Sequence, residues 1–134
     1  MDNEEWITRG SGVAKGDDIE DRLIRFAVAV MDLAETLPTS FAGKHIGNQL
    51  LRSGTSPAPN YAEARGCESI RDFIHKMGIV LKELNESRVW LRMVRLRAMV
   101  PSETSDPVFR ECDELCRIIA VSRRTAERNS RGAN

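Results

Sequence analysis

Few residues in this 134-residue chain are equipped for chemistry: two histidines, three cysteines and the serines of one Arg-Ser-Gly stretch. Cys112 and Cys116 lie four apart, one helical turn, so on a helix they share a face. A zinc site there needs two further ligands, and His45 and His75 lie far away in sequence. The pair therefore reads as small buried hydrophobes. A di-iron bundle requires Glu-x-x-His on two helices, and the sequence has no such motif. It also has no glycine-rich phosphate loop. Ser53 and Ser56 beside Arg52 could be pictured as a nucleophile centre, but capping and hydrogen bonding at a helix kink is the commoner use of such serines. The sequence thus predicts no catalytic residues, no metal, no cofactor and no enzyme.

The remaining chemistry is charge. Lys plus Arg and Asp plus Glu are 20 each, so the net charge is zero and a uniformly basic nucleic-acid binder is excluded. The distribution is uneven. Acids crowd residues 1–21, while Arg88, Arg92, Arg95 and Arg97 form a run free of acids. Arg117, Arg123, Arg124 and Arg128 follow towards the C-terminus. Arginine, which dominates over lysine here, suits phosphate and carboxylate forks. Two readings stay open. These eight arginines could line a groove for RNA or DNA, or they could pair with acids of a neighbouring helix or subunit.

These residues need elements to hold them. Apolar residues recur in steps of three and four from Ile19 through Leu23, Phe26, Val30 and Leu33 to Leu37, which predicts a first helix ended by Pro38. A second begins after Thr39 or Ser40. It meets Gly54, Pro57 and Pro59 and resumes at Tyr61, so it is expected to be kinked or interrupted near residues 53–59. A third runs from a Ser69 cap through Phe73, Met77, Val80, Leu84, Leu91 and Val94, with Gly78 leaving room for a close approach. After a turn over residues 101–107, a fourth starts at Val108 and fades near Glu127. Glu83, Asn85 and Glu86 are placed to pair with Arg52 or Arg65 across the bundle.

The expected fold is all-α, an antiparallel up-down-up-down four-helix bundle. Residues 1–16 read as a flexible N-terminal arm, 17–128 as the bundle and 129–134 as a disordered tail. The arm is taken as a solvated tail, the alternative being a hook that docks on a neighbouring subunit. No apolar run is long enough to span a membrane and no secretory signal opens the chain, so a cytoplasmic location and no membrane partner are expected.

Two runs carry a resemblance. Gln49-Leu50-Leu51-Arg52-Ser53 leads through Ser56 to Asn60-Tyr61-Ala62-Glu63, and Phe73 is followed by Lys82-Glu83-Leu84. In that order they resemble the four-helix-bundle family of 23S rRNA intervening-sequence proteins, over about residues 18–98. The chain departs from the family pattern in Pro57-Ala58-Pro59 and in Glu63-Ala64-Arg65-Gly66. The resemblance implies a homo-oligomer, a pentameric ring, without catalytic activity. It implies a structural role for Gln49, Arg52, Ser53, Ser56, Asn60 and Glu63, with Arg52, Asn60 and Glu63 holding the second helix against the third. The family is in turn similar to the accessory protein of diversity-generating retroelements, which binds nucleic acid and a reverse transcriptase. The function this implies is a self-assembling scaffold that contacts RNA, DNA or a reverse transcriptase through arginine-rich faces. The alternative is a protein-only interaction module.

Overall fold

A computed structural model describes residues 16–132 of the protein. The expected arm lies outside the described residues, apart from Gly16, which opens the first helix. Five helical segments follow: α1 (Gly16–Thr36), α2 (Phe41–Thr55), α3 (Pro57–Arg65), α4 (Ile70–Leu96) and α5 (Ser102–Gly132). No strand occurs among the described residues.

Local chemistry sets the boundaries. Asp17 and Asp18 face the positive end of the α1 dipole. The Ser40 and Ser69 hydroxyls cap α2 and α4, accepting from the backbone N–H of Gly43 and Asp72. α4 ends in a left-handed turn at Ala98, whose φ is 52°. The Ala98 N–H donates to the Arg95 carbonyl and the Met99 N–H to the Val94 carbonyl, the paired bonds that close a helix end.

α2 and α3 form one bent rod. Ser56 between them keeps helical torsions, φ −74° and ψ −36°, and the Asn60 N–H still reaches its carbonyl. Pro57 and Pro59 lack the N–H groups that would bond the Ser53 and Thr55 carbonyls, so the ladder is interrupted where the sequence indicated. With α2 and α3 counted together, four rods pack up-down-up-down. α4 lies between the bent rod and α5, and α1 closes the bundle against both α2–α3 and α5. The core runs through Leu23, Phe26, Val30, Leu50, Tyr61, Phe73, Met77, Leu84, Leu91, Leu115 and Ile119.

The last helix departs from expectation at both ends. It starts at Ser102, not Val108, and carries Pro107 inside. Pro107 falls within the first two turns, where its missing bond strands only the carbonyl of exposed Glu103. It also continues to Gly132, into the stretch assigned to a disordered tail. Thr125 and Ala126 are buried and Asn129 half-buried, so packing carries the helix past the last obvious apolar residue. The final two residues lie outside the described part.

Candidate interaction surfaces

The kink motif is a bonded network. Arg52 on α2 pairs with Glu83, at 3.3 Å, and with Glu86 on α4, and it also donates to Gln49. Below it, buried Ser87 donates to buried Ser53 at 2.8 Å. Asn60 donates to both the carbonyl and the hydroxyl of Ser56, each at 3.0 Å, and so bridges the proline break. Lys76 of α4 reaches Glu63 at 2.6 Å and Asn60 at 3.5 Å. These side chains tie the bent rod to α4. None of them presents an activated nucleophile. Arg65 turns the other way, to Asp17 and Glu20 of α1. Burial works against its charge, but the Asp17 hydrogen bond and both carboxylates outweigh it and raise its pKa.

Five of the eight arginines singled out in the sequence have polar partners within the chain. Arg88 pairs with Asp113 at 3.0 Å. Arg95 pairs with Asp106 at 2.9 Å and lies 4.2 Å above the Phe109 ring. Arg117 pairs with Asp113, and Arg123 with Glu127 at 3.5 Å and the Ile74 carbonyl at 3.4 Å. Arg128 reaches the Thr125 hydroxyl at 3.5 Å. Arg92, Arg97 and Arg124 are exposed and have no ionic partner among the described residues. Arg88 and Arg95, two turns apart, face α5 and serve to hold the α4–α5 pair. The room left by Gly78 is taken by the Arg123 guanidinium, 3.2 Å from where a β-carbon would sit, and not by a helix backbone.

Cys112 and Cys116 line the inner face of α5 and are buried, as their spacing indicated. Cys112 contacts the Leu84 carbonyl at 3.3 Å. The neighbouring Cys116 thiol and burial raise the pKa of Cys112, whose own S–H is donated to the Leu84 carbonyl. Among the described residues no three potential ligands converge on a metal position. No helix there is long and apolar enough to cross a membrane.

Sequence reading missed the apolar surface. Ile24, Val28 and Met31 form an exposed row on α1, in steps of four and three. Val89, Met93 and Leu96 form a second row on α4 with the same steps, and Leu96 is 91% exposed. A groove of about 690 Å³ extends the second row between the end of α4 and the start of α5. A smaller groove of about 490 Å³ extends the first, with Met31, Leu37 and Leu51 in its lining. Phe41, 97% exposed, stands at the same end of the bundle. The periodicity held the signal: both rows lie beside core stripes and widen the apolar arc beyond what one buried face uses.

Exposed acids continue the α1 row at Asp32 and Glu35, and exposed arginines flank the α4 row at Arg92 and Arg97. Up-down-up-down topology makes α1 and α4 parallel. Both charged flanks therefore lie towards the same end of the molecule.

A family model described as 23S rRNA-intervening sequence protein matches residues 18–121. The crystal structure of a protein of unknown function from the S23 ribosomal protein family of Bacteroides thetaiotaomicron is similar, with a TM-score of 0.74. Its sequence identity is 28%, over 81% of this chain and 97% of that one. No curated protein is significantly similar.

Proposed function

The chain belongs to the 23S rRNA-intervening sequence protein family, and from that premise we propose that it is a self-assembling helical scaffold without catalytic chemistry of its own. The observation that carries this is the pair of unlike, complementary rows: Ile24, Val28 and Met31 beside acids, and Val89, Met93 and Leu96 beside arginines. Two contiguous apolar rows on one small domain call for partners. The rows differ, so the contact is heterologous, and repetition of a heterologous contact closes a ring where the rotation per copy divides a full turn. Parallel packing of one copy's α1 against the next copy's α4, with Val28 level with Met93, sets Asp32 level with Arg97. Five is the subunit number implied by the family resemblance.

The test is the mass in solution by light scattering after size exclusion. Val28→Glu and Met93→Glu each bury a charge in one face and are expected to run as monomers. Mixed together, they restore a single good contact and give a dimer that cannot close. Wild-type protein that stays monomeric overturns the scaffold. A Val28→Glu variant that still forms the full assembly overturns the choice of face.

A second reading, contact with RNA or DNA, is favoured by arginines that no intramolecular acid neutralises: Arg92, Arg97 and Arg124. In the ring, Arg97 is spent on the neighbouring copy, while Arg124 on α5 stays open to a nucleic acid. A reverse transcriptase is the enzyme that such a scaffold would carry, by its resemblance to the retroelement accessory protein. Added RNA that leaves the assembly's mass unchanged at low salt would leave the protein-only module instead.

A further inference from the structure

Arg110, Arg117, Arg124 and Arg131 recur every seven residues along α5, and all four are exposed. A step of seven drifts by only about 20° around an α-helix, so the four side chains form one row. At 1.5 Å per residue the row is about 32 Å long. Arg128 adds a fifth guanidinium beside it. Beyond Glu114 no carboxylate on α5 is exposed: Glu127 is half-buried and already holds Arg123. Glu114 itself, the one exposed acid between Arg110 and Arg117, lies 3.5 Å from Arg22. Only Arg117 in the row has an ionic partner among the described residues, Asp113, which it shares with Arg88. The favourable dipole at a helix C-terminus accounts for Arg131 but not for Arg110, Arg117 or Arg124, which stand outside the last turn.

We propose that this row is a docking rail for the phosphate backbone of a nucleic-acid duplex. The proposal rests on the nucleic-acid reading above and narrows it to one face of α5, adding Arg110 and Arg131 to Arg117, Arg124 and Arg128. Three observations choose the duplex. The row is held on a helix whose inner face is packed from Ser105 to Ala126, and its length is close to the 34–36 Å of one B-form turn. It has no exposed aromatic: the one aromatic of α5, Phe109, is half-buried under Arg95. Single-strand binders pair a basic groove with aromatic platforms on which bases stack, and none is present on this face. Guanidinium forks without base-reading groups bind phosphates regardless of sequence. The rail lies on α5, away from the α1 and α4 rows, so assembly and duplex binding use separate surfaces.

The experiment is fluorescence anisotropy with the full chain and a labelled duplex about two turns long, as RNA and as DNA, together with the matching single strand. Four engaged phosphates predict that log K against log salt falls with a slope of about −3.6 on a DNA duplex for each rail in contact. Arg110→Gln, Arg117→Gln, Arg124→Gln and Arg131→Gln are combined stepwise, and each should flatten that slope by about 0.9. Glutamine is a good helix former and these sites are exposed, so helicity by circular dichroism should not change. Lysine at the same four positions should restore most of the slope, because it keeps the charge. Wild-type protein that binds neither duplex nor strand overturns the nucleic-acid reading and this proposal with it. Duplex binding by the fourfold glutamine variant with an unchanged slope overturns this proposal alone. Tighter binding to the single strand than to the duplex also overturns it.

Discussion

Gly54 of α2 lies directly against Val30 of α1, and it offers a test of the packing between the two helices. A β-carbon there would stand 2.7 and 2.8 Å from the two methyls of Val30, and 3.1 Å from its β-carbon. Ordinary carbon–carbon contact is about 3.5–4.0 Å, so roughly an ångström is missing. Val30 is fully buried and β-branched, so it has no free rotamer to turn into. Gly54→Ala therefore forces the two helices apart, at a cost of about 1–3 kcal/mol. Replacing glycine inside a helix returns about 1 kcal/mol, so the net destabilisation is about 0–2 kcal/mol. Val30→Ala alone leaves a cavity and costs on the order of 2 kcal/mol. Combined, the two changes remove the methyl clash and let the new methyl fill part of the cavity. The double variant should be more stable than the sum of the singles by about 1–2 kcal/mol. Urea unfolding followed by circular dichroism, at one fixed protein concentration because assembly shifts apparent stability, reads all four corners of the cycle. Additivity within about 0.3–0.5 kcal/mol would refute the close approach and the α1–α2 packing built on it.

Other expectations follow from single positions. Gly43→Ala would put a β-carbon 1.9 Å from the Pro38 carbonyl oxygen, a clash with backbone, and should cost more than about 3 kcal/mol in the same unfolding assay; a near-neutral result would contradict the α1–α2 turn. Ala98→Gly relieves a left-handed residue at the end of α4 and should raise stability by up to about 1 kcal/mol, read as a higher urea midpoint with unchanged slope. Arg52→Ala removes a pair that is half exposed and should cost no more than about 1 kcal/mol, whereas Ser53→Val takes one acceptor from the buried Ser87 hydroxyl, leaving it the Glu83 carbonyl at 3.0 Å, forces an extra methyl into a fully buried site, and should cost about 1–3 kcal/mol. The order would be reversed if the charged pair, not the buried hydroxyls, held the rod. Cys112 is fully buried with its S–H given to the Leu84 carbonyl, Cys116 is 7% exposed and Cys67 is half-buried, so a small alkylating agent should label Cys67 first, Cys116 next and Cys112 last. Mass spectrometry of a time course reads the order, and Cys112 labelled ahead of Cys116 would contradict the inner-face packing of α5.

Much of the fold was legible because helical periodicity and capping are local. Ser69 before Phe73, or Pro38 after Leu37, needs no knowledge of the rest of the chain. The break near Pro57 was legible for the same reason, since a missing N–H acts on its own helix. What escaped was whatever depends on a neighbour. Gly54 read as punctuation beside a proline pair, yet it serves as the contact point with Val30. The residues of α5 after Arg128 read as polar tail, yet Asn129 to Gly132 remain helical because Thr125 and Ala126 are packed. Arg88 and Arg95 share a helical face with Arg92, and spacing cannot say that Asp113 and Asp106 wait opposite two of them. The same limit hid the exposed rows. Val28 and Met93 obey the helical period as well as any core residue does, and only the packed bundle separates a stripe that is buried from one left facing outward. Composition had already set the net charge to zero. The packed bundle divides that balance: many acids and arginines cancel pairwise within the chain, while arginines left over stand at Arg92 and Arg97 on α4 and along the outer face of α5. A neutral protein can therefore carry a basic face, because neutrality is a property of the sum and contact is a property of the surface.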